Sequence, residues 1–177
     1  NGIRIIGDIP IYVAMDSSDV WADPEYYQLD DDLNPIDVAG CPPDAFYEFG
    51  QKWGNPLYDW DEMEKTDFSW WKRRVEAAAD LYDVIRIDHF TGIAKYYAIH
   101  ADGMPVDGEY RTGPGEKLIE VINDAAGGAK IIAEDLGITT PEAKNLLVKS
   151  GYPGMKVLEY AFDSRISNGF LPHTYNQ

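Results

Sequence analysis

The sequence predicts an α/β fold built on parallel strands. Three observations point there: four short Ile/Val-rich runs, amphipathic stretches of helical period between them, and a regular alternation of the two. The first strand is expected over Ile3 to Ile6, continuing past Pro10 into Ile11-Tyr12-Val13. A helix is expected from Thr66 as N-cap, since Phe68, Trp71, Val75, Ala79 and Tyr82 recur at steps of three and four. Val84 to Ile87 reads as the second strand. A second helix starts near Pro114, carries Leu118, Val121, Ile122 and Ala125 on one face, and stops at Gly127-Gly128. Lys130 to Ala133 is the third strand, followed by a helix from Thr140-Pro141 to Gly151. Lys156 to Phe162 is expected to be the fourth strand. The order β-α-β-α-β-α-β implies right-handed crossovers and a parallel sheet.

Residues 14–66 form an unusually long connection, expected to be a loop insertion at the site. Its aromatics (Trp21, Tyr26, Tyr27, Phe46, Tyr47, Phe49, Trp53, Tyr58 and Trp60) argue against disorder. They fit either a core beneath an Ω-like excursion or platforms that stack on flat sugar faces.

Of 177 residues, 31 are acidic and 15 basic, for a formal net charge of −16. That balance opposes binding to nucleic acid or an anionic membrane, both of which are held through Lys and Arg. With 45% apolar residues the chain is too hydrophobic to be disordered, and at this length it can bury roughly 70% of its unfolded surface. No apolar run approaches the roughly 20 residues that span a bilayer, and Asn1-Gly2-Ile3-Arg4 does not read as a signal peptide. The single cysteine, Cys41, cannot form an internal disulfide, and no Asn-x-Ser/Thr acceptor occurs. A cytoplasmic location is expected.

Two strand ends concentrate ionisable groups. Val84-Ile85-Arg86-Ile87 runs into Asp88-His89-Phe90, and Lys130 to Ala133 runs into Glu134-Asp135-Leu136-Gly137. In a parallel sheet Asp88 and Glu134 emerge at the same end. Glycosidic chemistry needs such a pair, one carboxylate ionised as nucleophile and the other protonated as general acid. Arg86 lies two residues before Asp88 on the same strand face, placed to favour its ionised form. The alternative is structural, because carboxylates at strand ends also cap helices or pair with arginines.

No cofactor and no metal are expected. His89, His100 and His173 have no metal-ligand spacing, and Asp30-Asp31-Asp32-Leu33-Asn34 lacks the turn glycine and closing glutamate of a calcium loop. There is no Gly-x-Ser-x-Gly elbow, and Gly113-Pro114-Gly115-Glu116-Lys117 lacks phosphate-loop spacing. Cys41 reads as a small buried residue rather than a nucleophile.

Several motifs occur together: Gly7-Asp8-Ile9-Pro10-Ile11-Tyr12-Val13-Ala14, Asp16-Ser17 with Asp19-Val20-Trp21, Ala39-Gly40-Cys41-Pro42-Pro43-Asp44, Gly50-Gln51-Lys52-Trp53-Gly54-Asn55-Pro56-Leu57-Tyr58, Arg86-Ile87-Asp88-His89-Phe90 and Ala133-Glu134-Asp135-Leu136-Gly137. Through them the chain resembles the 4-α-glucanotransferases (amylomaltases, or disproportionating enzymes) of glycoside hydrolase family 77, in the α-amylase clan.

The resemblance implies a partial (β/α)8 TIM barrel, roughly its third to sixth strands, forming one partial catalytic domain over 1–177. It implies Asp88 as nucleophile, Glu134 as acid and then base, and Arg86 as the residue that positions Asp88. Asp8, Asp44, Gln51, Trp53, His89 and Asp135 are implied as substrate-binding. The implied reaction is retaining transfer of α-1,4-glucan segments between maltooligosaccharides, in the cytoplasm or in a plant plastid. The family's third carboxylate sits in a His-Asp-Asn motif that His173-Thr174-Tyr175-Asn176 does not supply, so the segment alone is expected to be inactive. Its expected partners are α-1,4-glucans and the rest of the parent barrel, or a second copy through open sheet edges. The competing readings are an α-amylase-like retaining hydrolase, a non-catalytic maltooligosaccharide-binding part-barrel, and a purely structural half-barrel.

Overall fold

The computed structural model describes residues 2–44, 47–137, 139–162 and 168–175; Asn1, Phe46 and Asn176, named above, lie outside them. In chain order the elements are β1 (Ile6–Ile9), α1 (Ser18–Ala22), β2 (Asp37–Cys41), β3 (Gln51–Pro56), α2 (Trp60–Lys65), α3 (Ser69–Leu81) and β4 (Val84–Ile87). They continue with α4 (Thr91–Ala94), β5 (Lys95–His100), β6 (Glu109–Thr112), α5 (Glu116–Ala126), β7 (Lys130–Ala133) and α6 (Pro141–Ser150).

Two sheets result. β1, β4 and β7 form a parallel sheet in that order, with Asp8 opposite Arg86 and Arg86 opposite Ile132. Strands alternate faces, so Ile9, Ile85, Ile87, Ile131 and Ala133 are buried on one side. Helices α3 and α5, which pack on each other, supply the covering core through Trp71, Val75, Leu118 and Ile122. Asp8, Arg86 and Ile132 share the opposite, more open face. The second sheet is antiparallel, in the order β3-β2-β5-β6.

This second sheet is the main feature the sequence did not predict. Residues 14–66 carry α1, β2, β3 and α2; β2 pairs with β5, and β6 adds to the far edge of β5, both contributed from beyond Asp88. The aromatics of this stretch divide between core and surface. Tyr58 is buried, with Tyr12, Tyr27, Trp60, Trp70 and Trp71 rings within 5.9 Å of its own, and its hydroxyl donates to the Ile11 carbonyl at 2.6 Å. Tyr26 and Tyr27 are core as well, whereas Trp21, Tyr47, Phe49 and Trp53 stay exposed.

Three expectations need correction. Thr66 is the C-cap of α2 rather than the start of a helix, its hydroxyl donating to the Met63 carbonyl at 3.0 Å. The chain reverses through Asp67 and Phe68 at φ 50° and 52°, and α3 begins at Ser69. The first strand is Ile6–Ile9 rather than Ile3–Ile6, and Ile11, Tyr12 and Val13 are buried without being a strand. Lys156 to Phe162 is not a strand: it is extended to Val157 and then turns as a 3-10 helix over Leu158–Ala161. A short apolar run does not distinguish a strand from a helical turn, and Phe162 ends 81% exposed. The chain just before it does approach β7, where the Ala133 N–H donates to the Pro153 carbonyl at 2.9 Å. By contrast α6 has the expected caps, with Thr140 accepting from the Ala143 N–H and Gly151 left-handed after it.

Candidate active site

Asp88 follows the last residue of β4 and Glu134 the last residue of β7, so two carboxylates leave neighbouring strands at the same end. Backbone bonds extend the sheet to hold them: Asp88 N–H donates to Ile9 O, and Glu134 N–H to Ile87 O, each at 2.9 Å. Both line one cleft of about 410 Å³, within the range of ligand sites.

Arg86 stands beside Asp88, as the strand alternation predicts. Its Nη2 donates to Asp88 Oδ1 at 2.6 Å and its Nη1 to Asp8 Oδ1 at 2.5 Å. Its Nε faces the Met155 sulfur at 3.0 Å. A guanidinium between two carboxylates fixes both in a forked, charge-assisted geometry.

Glu134 is a buried acid, only 8% exposed. Its Oε2 accepts from the His89 N–H and its Oε1 from the Leu136 N–H, both at 2.8 Å. Burial pushes the carboxyl above its ordinary range; the two N–H donors oppose that, while the Asp88 charge adds to it. An acid with its proton held to higher pH, beside a carboxylate tied to an arginine, is the division of labour that glycosidic cleavage needs.

His89 is the hinge of the site. At φ 49° its backbone turns so that its N–H reaches Glu134, and Phe90 N–H then donates to Glu134 O at 3.0 Å. Its ring meets Trp53 edge-on at 5.0 Å. Burial lowers the imidazole pKa to about 4, with the nearby Asp88 charge pulling it partly back. At neutral pH the ring is uncharged.

The antiparallel sheet brings the rest of the cleft. Trp53 and Gln51 lie on β3, the indole N–H donating to Gln51 Oε1 at 3.3 Å. Asp44 follows β2, where its side chain accepts from the Tyr47 N–H at 2.7 Å. The Asn55 side chain ties β3 to the segment that follows β1 by donating to Val13 O at 2.8 Å.

The cleft therefore unites Arg86, Asp88, His89, Glu134, Asp44, Gln51 and Trp53. Asp8 and Asp135 are not on its lining: Asp8 pairs with Arg86, and Asp135 Oδ1 accepts from the Met155 N–H at 2.8 Å. Sequence reading missed Tyr97 and Tyr110, which line the cleft from β5 and β6 with rings 5.1 Å apart. The run Lys95-Tyr-Tyr-Ala-Ile-His was the available signal. Among the described residues no group of three or more His, Cys, Asp or Glu is placed to hold a metal ion, and no helix is long and apolar enough to cross a membrane.

Fold and site together define an α/β protein with an acid–carboxylate pair over a cleft at its strand ends. The 4-alpha-glucanotransferase family model matches residues 1–177, and the chain belongs to that family. It is 52% identical over 175 residues to a 4-alpha-glucanotransferase of Thermus thermophilus, covering 98% of this chain and 35% of that one. It is 48% identical to the chloroplastic/amyloplastic enzyme of Solanum tuberosum, covering 99% of this chain and 31% of the relative. The amylomaltase from Streptococcus agalactiae in complex with acarbose superposes with a TM-score of 0.92 at 44% identity, over 99% of this chain and 36% of that one. At 23% identity and TM-score 0.80, the amylomaltase of Corynebacterium glutamicum shares the fold. The chain spans about a third of the length of the curated relatives it matches.

Proposed function

We propose that the protein carrying this chain is a 4-α-glucanotransferase that moves α-1,4-glucan segments between maltooligosaccharides by double displacement. The observation that carries this reading is the pairing, at adjacent strand ends over one cleft, of an arginine-bound Asp88 and a buried Glu134 with a raised pKa. An Asp88 oxygen attacks the anomeric carbon while Glu134 gives its proton to the departing glycosidic oxygen. The acceptor hydroxyl then attacks the glycosyl-enzyme and returns a proton to Glu134, and the two inversions retain the α-linkage. Gln51, Trp53, Asp44 and His89 bind the sugar chain beside the reacting centre. The amylomaltase complex with acarbose supports α-glucan substrates.

Transfer rather than hydrolysis requires that an acceptor be held and water kept out. Residues 14–66 suit that task, because their aromatic core anchors the strand carrying Trp53 over the cleft. The three parallel strands are proposed as the third to fifth of a (β/α)8 barrel, with the segment after α6 at the position of the sixth. The rest of the parent protein completes the barrel, and this segment alone is expected to be inactive. Incubating the full-length protein with maltotriose tests the reading: glucose plus a ladder of longer oligomers is expected. Hydrolysis products alone would make it an α-amylase-like hydrolase instead.

A further inference from the structure

The Arg86 guanidinium is held at three points, and only two of them are charged. Nη1 and Nη2 meet Asp8 and Asp88, while Nε–H points at the Met155 sulfur 3.0 Å away. A thioether is a weak acceptor on a flexible side chain and seldom positions anything by itself. Here its backbone is pinned. The Met155 N–H donates to Asp135 Oδ1 at 2.8 Å, and the Pro153 carbonyl accepts from Ala133 at the edge of β7. Gly154 makes the approach possible, because a Cβ there would lie 2.7 Å from Asp135 Oδ1. Asp135 is thus engaged with the chain behind the cleft and is absent from its lining.

We propose that Asp135 and Met155 are positioning residues for the nucleophile: Asp135 holds the Gly154–Met155 backbone, and the Met155 sulfur fixes the rotation of the Arg86 guanidinium that orients Asp88. This rests on the proposed role of Asp88 as nucleophile. It gives Asp135 an effect through Arg86 in place of a sugar contact. Fixing Nε matters because a planar guanidinium held only at its two Nη atoms still pivots, and a small misplacement of an attacking oxygen slows reaction severely.

The test uses the full-length protein with maltotriose and with α-maltosyl fluoride, whose leaving group needs no proton. Asp135→Ala and Met155→Leu are each expected to lower kcat about tenfold with KM within about twofold, the loss of one hydrogen bond to a charged group. Asp135→Asn, which keeps an oxygen for the Met155 N–H, recovers most of the rate. The losses persist with the fluoride. Restoration by the fluoride would instead place the effect on neighbouring Glu134, and a raised KM at unchanged kcat would mean a sugar contact; either overturns the proposal. Should Asp135→Ala fail to fold, the two near-isosteric variants decide: Met155→Leu must lose rate and Asp135→Asn must keep it. A wild-type protein that consumes the fluoride but never lengthens maltotriose would sink the transferase reading alone, since the fluoride reports attack by Asp88 whatever acceptor follows.

Discussion

His89 offers the most quantitative test of the site. Its imidazole is lowered from 6.5 to about 4 because the ring is enclosed between Trp53 and Gly92, where a charged form is poorly solvated. A group that binds its proton less readily when folded costs stability as pH falls. The unfolded chain takes up the proton first, so unfolding is favoured progressively from about pH 6.5 down to about 4, and above 6.5 the effect vanishes. At about 1.36 kcal/mol per pKa unit the full shift amounts to about 3 kcal/mol, an upper figure because one ring edge stays partly open to the cleft. The variant to compare is His89→Asn, since asparagine tolerates the φ of 49° that most residues resist. Urea unfolding of the full-length protein, followed by Trp fluorescence across pH 4 to 7.5, gives the difference between wild type and variant, in which the other titrating groups cancel. The wild type is expected to lose up to about 3 kcal/mol relative to the variant between pH 6.5 and 4, and nothing above that range. A constant difference, or a His89 NMR titration midpoint near 6.5, would refute the burial argument.

Other outcomes follow from the same geometry. Asp88→Asn should abolish transfer with the fold intact, checked by maltotriose turnover and circular dichroism, because the amide keeps the shape and loses the attacking oxygen that the proposed mechanism requires. Glu134→Gln should cost at least about 10²-fold in kcat on maltotriose yet largely spare α-maltosyl fluoride. Trp53→Ala should raise the ratio of hydrolysis to transfer, read as reducing ends formed per oligomer lengthened, and move the His89 titration back towards 6.5. Gly40→Ala puts a Cβ 2.1 Å from the Gln51 carbonyl and 2.4 Å from Ile99 Cδ1, so a loss of about 1–3 kcal/mol in urea unfolding is expected from overpacking. It should also weaken maltooligosaccharide binding, since β2 and β3 carry Asp44 and Gln51 to the cleft.

Alternation of dense Ile/Val runs with amphipathic stretches determined by itself the parallel strands β4 and β7 and the helices α5 and α6, because burial on both sheet faces and a 3.6-residue stripe are both written locally. The candidate acid and nucleophile were legible for the same reason: a residue at the end of a parallel strand has its position set by the strand. Only the tertiary structure decided the antiparallel sheet: β2 and β3 contain Gly40, Gly54 and Pro56 and read as turns until β5, from beyond Asp88, pairs with β2. It also decided which aromatics are core and which face the cleft, since nothing in the local sequence marks Tyr58 for burial and Trp53 for exposure. Asp8 and Asp135 show the same limit, as their partners Arg86 and Met155 lie 78 and 20 residues away. Pairings over such separations depend on how the chain closes on itself, which no local pattern of residue types records.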